Sequence, residues 1–152
     1  MKKFWIGSVM VLAAAAMIAG CGKKASTNYL VMGTDAKFPP FELRGGAEGA
    51  DVVGFDVDVA QAIAEQVGRP LKIVEMEFDR LLPALAEGKV DLVLAALSIT
   101  PERRALVDFS IPYYKATQVA LILAGGPVPE TKEELKGMRT AAQAGTTGYA
   151  IA

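Results

Sequence analysis

Ala95-Ala96-Leu97-Ser98-Ile99-Thr100-Pro101-Glu102-Arg103 is the stretch on which the reading of this chain turns. Ahead of it, Val90 to Leu94 is apolar and β-prone except for Asp91. Behind it lies a helix start, with Thr100 in the N-cap position, Pro101 at the first helical position and Glu102 in the first turn. A strand therefore empties into a helix N-terminus, where the first amides lack intrahelical acceptors and favour a negative charge. Arg103, one turn in, carries a planar guanidinium that can grip a carboxylate through two parallel hydrogen bonds. Ser98 adds a hydroxyl that both donates and accepts. The set suits the head of a free amino acid, its carboxylate on Arg103 and the amides, its ammonium on Ser98 and a neighbouring carbonyl. The same run is also an ordinary helix start in which Arg103 and Arg104 form a solvated face.

The chain has 152 residues, a formal net charge of -1, no histidine and one cysteine. Its apolar fraction of 52% is swollen by the first residues. Met1-Lys2-Lys3 is a short positive region, and Phe4 to Ile18 is an apolar run that falls short of the roughly 20 residues a membrane span needs. It ends in small residues and reads as a signal peptide over residues 1–20, so the protein is expected to be exported. Ile18-Ala19-Gly20-Cys21 resembles the lipobox of bacterial lipoproteins, which implies cleavage before Cys21 and a lipid on it that holds the protein to a membrane. An exported chain with one cysteine has no disulfide to explain that residue otherwise. Residues 21–28 then form a polar tether. Without Lys2 and Lys3 the formal charge moves from -1 to -3. With no basic stripe or interleaved aromatics, nucleic acid is not an expected partner. Lack of histidine and of a second cysteine argues against a transition-metal site, and imidazole chemistry is excluded. No cofactor is expected.

Taken in order, Tyr29 to Thr34 is a strand, and Pro39-Pro40 stiffens the loop after it, so Asp35 and Phe38 fall at the carboxyl end of that strand. Ligands of open α/β sheets bind at that edge. Arg44 to Asp51 is Gly-rich and polar and predicts an exposed turn. From Gly54 a helix opens, with Phe55, Val59, Ile63 and Val67 four apart and Ala60 and Ala64 beside them as its apolar stripe. Asp56 and Asp58 sit in its first turn, where helix capping and the dipole account for both. Gly68 and Pro70 end it. Leu71 to Met76 is a strand, Phe78-Asp79-Arg80 a loop at its end, and Leu81 to Glu87 a helix stopped by Gly88. Alternating strands and helices at short spacing predict a mostly parallel α/β sheet. Beyond the Asp108–Tyr114 connector, Thr117 to Leu123 and Arg139 to Gln143 read as strands, with a short charged helix at Thr131 to Lys136 between them. Gly145-Thr146-Thr147-Gly148 repeats the first corner, hydroxyl residues at a helix start, which suggests two lobes facing one ligand. Ala152 falls where this helix has barely begun, so the chain reads as partial, with too little apolar area for a second core.

Gly54-Phe55-Asp56-Val57-Asp58-Val59 with Ile63-Ala64 and Val67 fits a family signature at every defined position. Thr34-Asp35 through Phe41, Leu81-Leu82-Pro83-Ala84-Leu85, Val107-Asp108-Phe109-Ser110 and Gly145-Thr146-Thr147 follow the same pattern in order. From Tyr29 onward the chain resembles the bacterial extracellular solute-binding proteins of family 3, the polar amino acid receptors of ABC transporters. The resemblance implies a periplasmic-binding-protein-like (type II) α/β fold of two lobes, here lobe 1 over 29–115 and the start of lobe 2 over 116–152. It implies a free amino acid as ligand, delivered to the permease subunits of an ABC importer. Arg103 would hold the ligand carboxylate with backbone N–H groups at Ser98 and Thr147. The Ala96 carbonyl and Ser98 hydroxyl would take the ammonium, Phe38 and Phe78 would sandwich the side chain, Asp35 and Gln143 would touch its polar end, and Thr146 would line the cleft. Arg80 stands where the family usually has a small residue; it biases the cleft toward an acidic side chain or points to solvent. The family's second-lobe aspartate lies beyond Ala152. Other classes on this fold are exported enzymes, dehydratase-like or glycan-cleaving, and sensor input domains. Glycan cleavage needs an acid pair in a cleft, and the acids free of helix-cap or surface roles reduce to Asp35, which favours binding over catalysis.

Overall fold

The structure, a computed structural model, describes residues 28–46, 49 and 51–151; the expected leader and Cys21 lie outside them. Strands β1 (Leu30–Thr34), β5 (Leu71–Glu75) and β6 (Leu92–Val93) form a parallel sheet in the order β5-β1-β6. Leu30 stands opposite Leu71, and Met32 opposite both Ile73 and Leu92. Helix α1 (Phe55–Val67) and the one-and-a-half-turn α2 (Leu81–Ala86) are the connections. The predicted α/β alternation is therefore the architecture of residues 29–107.

Arg44 to Asp51 is not wholly turn. β2 (Lys37–Phe38), β3 (Glu42–Gly45) and β4 (Asp51–Val53) make an antiparallel sheet of their own. Gly46 and Gly49, at φ 75° and 67°, bend the chain between β3 and β4. The short β3 and β4 runs carry too few alternating residues to announce themselves among glycines. The Pro39-Pro40 bond is cis.

This small sheet determines how α1 begins. Gly54 gives no side-chain cap; instead the Phe55 and Asp56 amides donate to the carbonyls of Pro40 and Phe41 at 3.1 and 2.9 Å. A Cβ on Gly54 would sit 2.3 Å from the Phe41 oxygen, and its φ of 133° suits glycine alone. Asp58 is exposed, as a residue placed for the dipole should be, whereas Asp56 is fully buried. The buried stripe is Asp56, Ala60 and Ala64. Phe55, Ile63 and Val67, expected to face inward, are 42, 39 and 53% exposed. Small alanines let the helix approach the sheet closely, which turns the larger residues to the flanks. Met32, Ala60 and Leu94 form the core, with Val57, Val59, Leu71, Ile73 and Leu92 packed on it. Asp91, the odd charge in its strand, accepts from the Val31 amide and from Arg69 at 2.9 Å each, stapling the amino ends of the strands.

Past α3 (Pro101–Arg104) and the turn that follows it, residues 108–123 belong to no helix or strand, and residues 111–123 are exposed throughout. The strands expected at Thr117–Leu123 and Arg139–Gln143 are absent among the described residues. A strand needs a neighbour to satisfy its backbone, and neither run has one here; Leu121 is 100% exposed. The charged helix shrinks to a 3₁₀ turn at Glu133–Leu135, and α4 (Thr147–Ile151) starts where expected.

Candidate functional site

Because β1, β5 and β6 run parallel, their carboxyl ends open on one edge. Asp35 and Phe38 follow β1, Phe78 follows β5, and Ala95, Ala96 and Ser98 follow β6. These residues line a cavity of about 230 Å³. Arg103 lines it from the first turn of α3, Gln143 closes it from the segment ahead of α4, and Thr146 and Thr147 close it from the start of that helix. Every residue selected from the sequence as a ligand contact thus borders one hollow.

Arg103 is not part of a solvated face. It is 9% exposed, whereas Arg104 is exposed. The Thr100 hydroxyl accepts from the Arg103 amide at 3.3 Å, the N-cap that the sequence predicts. The guanidinium donates through Nη1 to the Ser98 carbonyl at 2.6 Å and through Nη2 to the Gly145 carbonyl at 2.9 Å. It lies over the Phe78 ring, 5.6 Å from its centroid. Burial draws its pKa down, yet a guanidinium stays charged in a protein, and two of its five N–H donors are engaged by these carbonyls. The remaining donors suit a carboxylate.

Opposite in chemical character are two buried acids. Asp35 is 3% exposed, and its Oδ2 accepts from Gln143 Nε2 at 2.8 Å. Its Oδ1 lies 3.4 Å from Lys37 Nζ, near enough for charge pairing but without hydrogen-bond geometry. Lys37 is committed more closely to Glu77, at 2.7 Å. Glu42, 1% exposed, also lines the cavity. Burial above all, then the charge of Asp56, a hydrogen bond with it and the charge of Asp35, push the Glu42 pKa up to about 8. At neutral pH it holds its proton. Asp35 Oδ1 and Glu42 Oε2 have no hydrogen-bond partner among the described residues, an arrangement that favours an incoming hydrogen-bonding group.

Ala96 lines the cavity in a left-handed bend, φ 46°. Gln118 Nε2 donates to the Thr147 hydroxyl at 3.1 Å, and the Thr146 hydroxyl accepts from the Tyr149 amide at 3.1 Å. Arg80 is exposed and lies outside the cavity lining, so it points to solvent. Sequence reading missed Lys37, Glu42 and Gln118, which also line the hollow. Glu42 had one signal, an acid directly after an aromatic on a proline-stiffened loop. The reading of Asp35 as the single cleft acid is corrected by it. Among the described residues no cluster of three or more His, Cys, Asp or Glu could hold a metal.

A sequence profile of the bacterial extracellular solute-binding proteins, family 3, matches residues 30–146. The chain is 38% identical over 125 residues to the arginine-binding extracellular protein ArtP of Bacillus subtilis, covering 82% of this chain and 48% of that one. It is 33% identical over 155 residues to a probable histidine-binding protein of Campylobacter jejuni, covering 96% and 59%. Among solved structures, the arginine-bound form of a truncated ArgBP from T. maritima superposes with a TM-score of 0.75 at 44% identity, over 81% of this chain and 57% of that one. The chain spans about half the length of the curated relatives it matches.

Proposed function

The chain belongs to the bacterial extracellular solute-binding proteins, family 3, and on that premise we propose that its cavity takes a free amino acid with a cationic side chain, arginine foremost. Family and relatives are substrate-binding proteins, not enzymes. The observation that carries the reading is a hollow of two opposed characters. Arg103 offers spare donors to a carboxylate, while Asp35, a buried acid whose Oδ1 is charge-paired with Lys37 but accepts no hydrogen bond among the described residues, suits a donor-rich cation, and neutral Glu42 adds a polar group beside it. Phe38 and Phe78 supply the faces on which a guanidinium stacks. Relatives named for arginine and histidine support a cationic side chain.

In this reading Arg103 and the Ser98 and Thr147 amides hold the carboxylate, and the Ala96 carbonyl and Ser98 hydroxyl hold the ammonium. Asp35 and Gln143 meet the far end of the side chain beside Thr146. Charge-assisted hydrogen bonds of about 1.5 to 3 kcal/mol each, less the ordering cost, support binding near -8 kcal/mol, about micromolar. Residues 29–115 form the first lobe and 116–152 the beginning of a second. A lipid on Cys21 holds the protein at the outer face of the membrane, or on the periplasmic side, where it delivers its ligand to the permease subunits of an ABC importer.

Calorimetric titration of the protein with L-arginine, L-lysine, L-histidine, L-glutamine and L-glutamate tests the choice. Arginine is expected to bind most tightly and glutamate not at all. Glutamate binding as tightly as arginine overturns the assignment.

A further inference from the structure

Asp56 lies one helical position into α1, yet it does not serve the helix end. Its side chain is fully buried. Oδ2 accepts from the Ala96 amide at 2.7 Å, and Oδ1 from the Tyr113 hydroxyl at 3.0 Å. Ala96 is the one non-glycine among the described residues with a positive φ, a conformation in which Cβ crowds the backbone and which persists when its surroundings enforce it. The Asp56 carboxylate is the group that meets its amide. Tyr113 belongs to the connector that leaves the first unit, and Tyr113 and Tyr114 pack against Phe55 and Phe41 at centroid distances of 6.0 and 4.9 Å. Phe41 in turn stacks on Phe38 of the cavity wall at 5.8 Å. Around Asp56 stand the protonated Glu42 of β3, the Tyr113 hydroxyl and the Ala96 amide; burial and the Asp56 charge keep the tyrosine protonated.

We propose that Asp56 is a positioning residue: it holds Ala96 in its left-handed bend at the cavity wall and ties that bend to the Tyr113 connector. The ligand-binding consequence rests on the function proposed above; the backbone consequence does not. A carboxylate can accept on both oxygens at once, whereas an amide in its place offers one acceptor and one donor. Asp56→Asn can keep both bonds, because the Tyr113 hydroxyl can accept from Nδ2 while Oδ1 accepts from the Ala96 amide, whereas Asp56→Leu, close in volume, abandons both.

The test compares wild type, Asp56→Leu, Tyr113→Phe and Asp56→Leu with Ala96→Gly, following hydrogen exchange at residue 96 without ligand and L-arginine affinity by calorimetry. Asp56→Leu is expected to speed exchange at Ala96 and weaken arginine binding, each about tenfold, while unfolding stays cooperative. Adding Ala96→Gly is expected to restore affinity to within about threefold of wild type, because glycine adopts positive φ unaided. A purely structural Asp56 would show no such rescue. Tyr113→Phe, which removes one hydroxyl from a residue 43% exposed, is expected to speed Ala96 exchange about threefold, and it decides the matter if Asp56→Leu does not fold. Unchanged exchange at Ala96 in these variants, or no recovery with glycine, overturns the proposal. If wild type takes up no arginine, the proposed function falls while the exchange data still judge Asp56.

Discussion

Two helix starts in this chain obey one local rule and end in different circumstances. Thr100 accepts from the Arg103 amide at 3.3 Å, and Thr146 accepts from the Tyr149 amide at 3.1 Å; in each the hydroxyl caps the third helical residue. The first corner grows out of a strand paired with β1, its arginine is buried, and Asp56 pins its bend. The second follows residues with no strand among them, and Tyr149 and Ile151 are 61 and 43% exposed. Local sequence sufficed for both caps. What it did not supply is the support behind them, which comes from elements far away in the chain. The corners meet where Arg103 donates to the Gly145 carbonyl and Gln143 to Asp35.

If the first corner is the anchored half of the site, its arginine should dominate binding. Arg103→Ala is expected to weaken amino acid binding about 100-fold or more, since it removes charge-assisted bonds together worth about 3 kcal/mol. Gln118→Ala, on the second side, should cost less than about tenfold. Calorimetry on the two variants checks this, and equal losses would erase the distinction between the corners.

A pH series separates the corners next, because the buried acid with a raised pKa stands behind the first. The Glu42 pKa rises from 4.5 in the open to about 8 in the folded protein. Below about 4.5 folded and unfolded chains both hold this proton; between 4.5 and 8 the folded chain keeps it and the unfolded chain sheds it. Folding therefore loses the Glu42 contribution as pH climbs through that window, and above it the contribution is gone. Wild type is expected to melt at progressively lower temperature from about pH 5 to about pH 8, and Glu42→Gln to flatten the decline. Scanning calorimetry across the window provides the check. A wild-type curve that rises over it contradicts the burial of a neutral Glu42.

Much of the first unit was legible because its signals are local. Gly54 and Gly68 bracket α1, Thr100-Pro101 starts α3, and apolar runs mark β1 and β5. The selected site residues could be placed because parallel strands gather their carboxyl ends on one edge. Illegible were the features that depend on a distant partner. Asp56 looks the same in sequence whether it serves the helix dipole or the Ala96 amide, 40 residues away. Thr117–Leu123 has β propensity, but propensity becomes a strand when a ladder completes it. Glu42 sits on a strand whose two partners, Lys37–Phe38 and Asp51–Val53, are two and three residues long.

Smallest in effect, and most direct as a test of the opening contrast, is a pair of cap deletions. Replacing a threonine N-cap by alanine typically costs about 1 kcal/mol when the helix belongs to the cooperative structure. Thr100→Ala should pay that in full, because α3 carries the buried Arg103 and opening it breaks the bonds to Ser98 and Gly145. In the ligand-free protein Thr146→Ala should change global stability by less than about 0.5 kcal/mol. Its five-residue helix buries no residue, so it can fray without opening the sheet. Urea unfolding with a common slope resolves the difference. Equal losses would mean that α4 is folded into the same cooperative unit as the β5-β1-β6 sheet, and the second corner would then be anchored as firmly as the first.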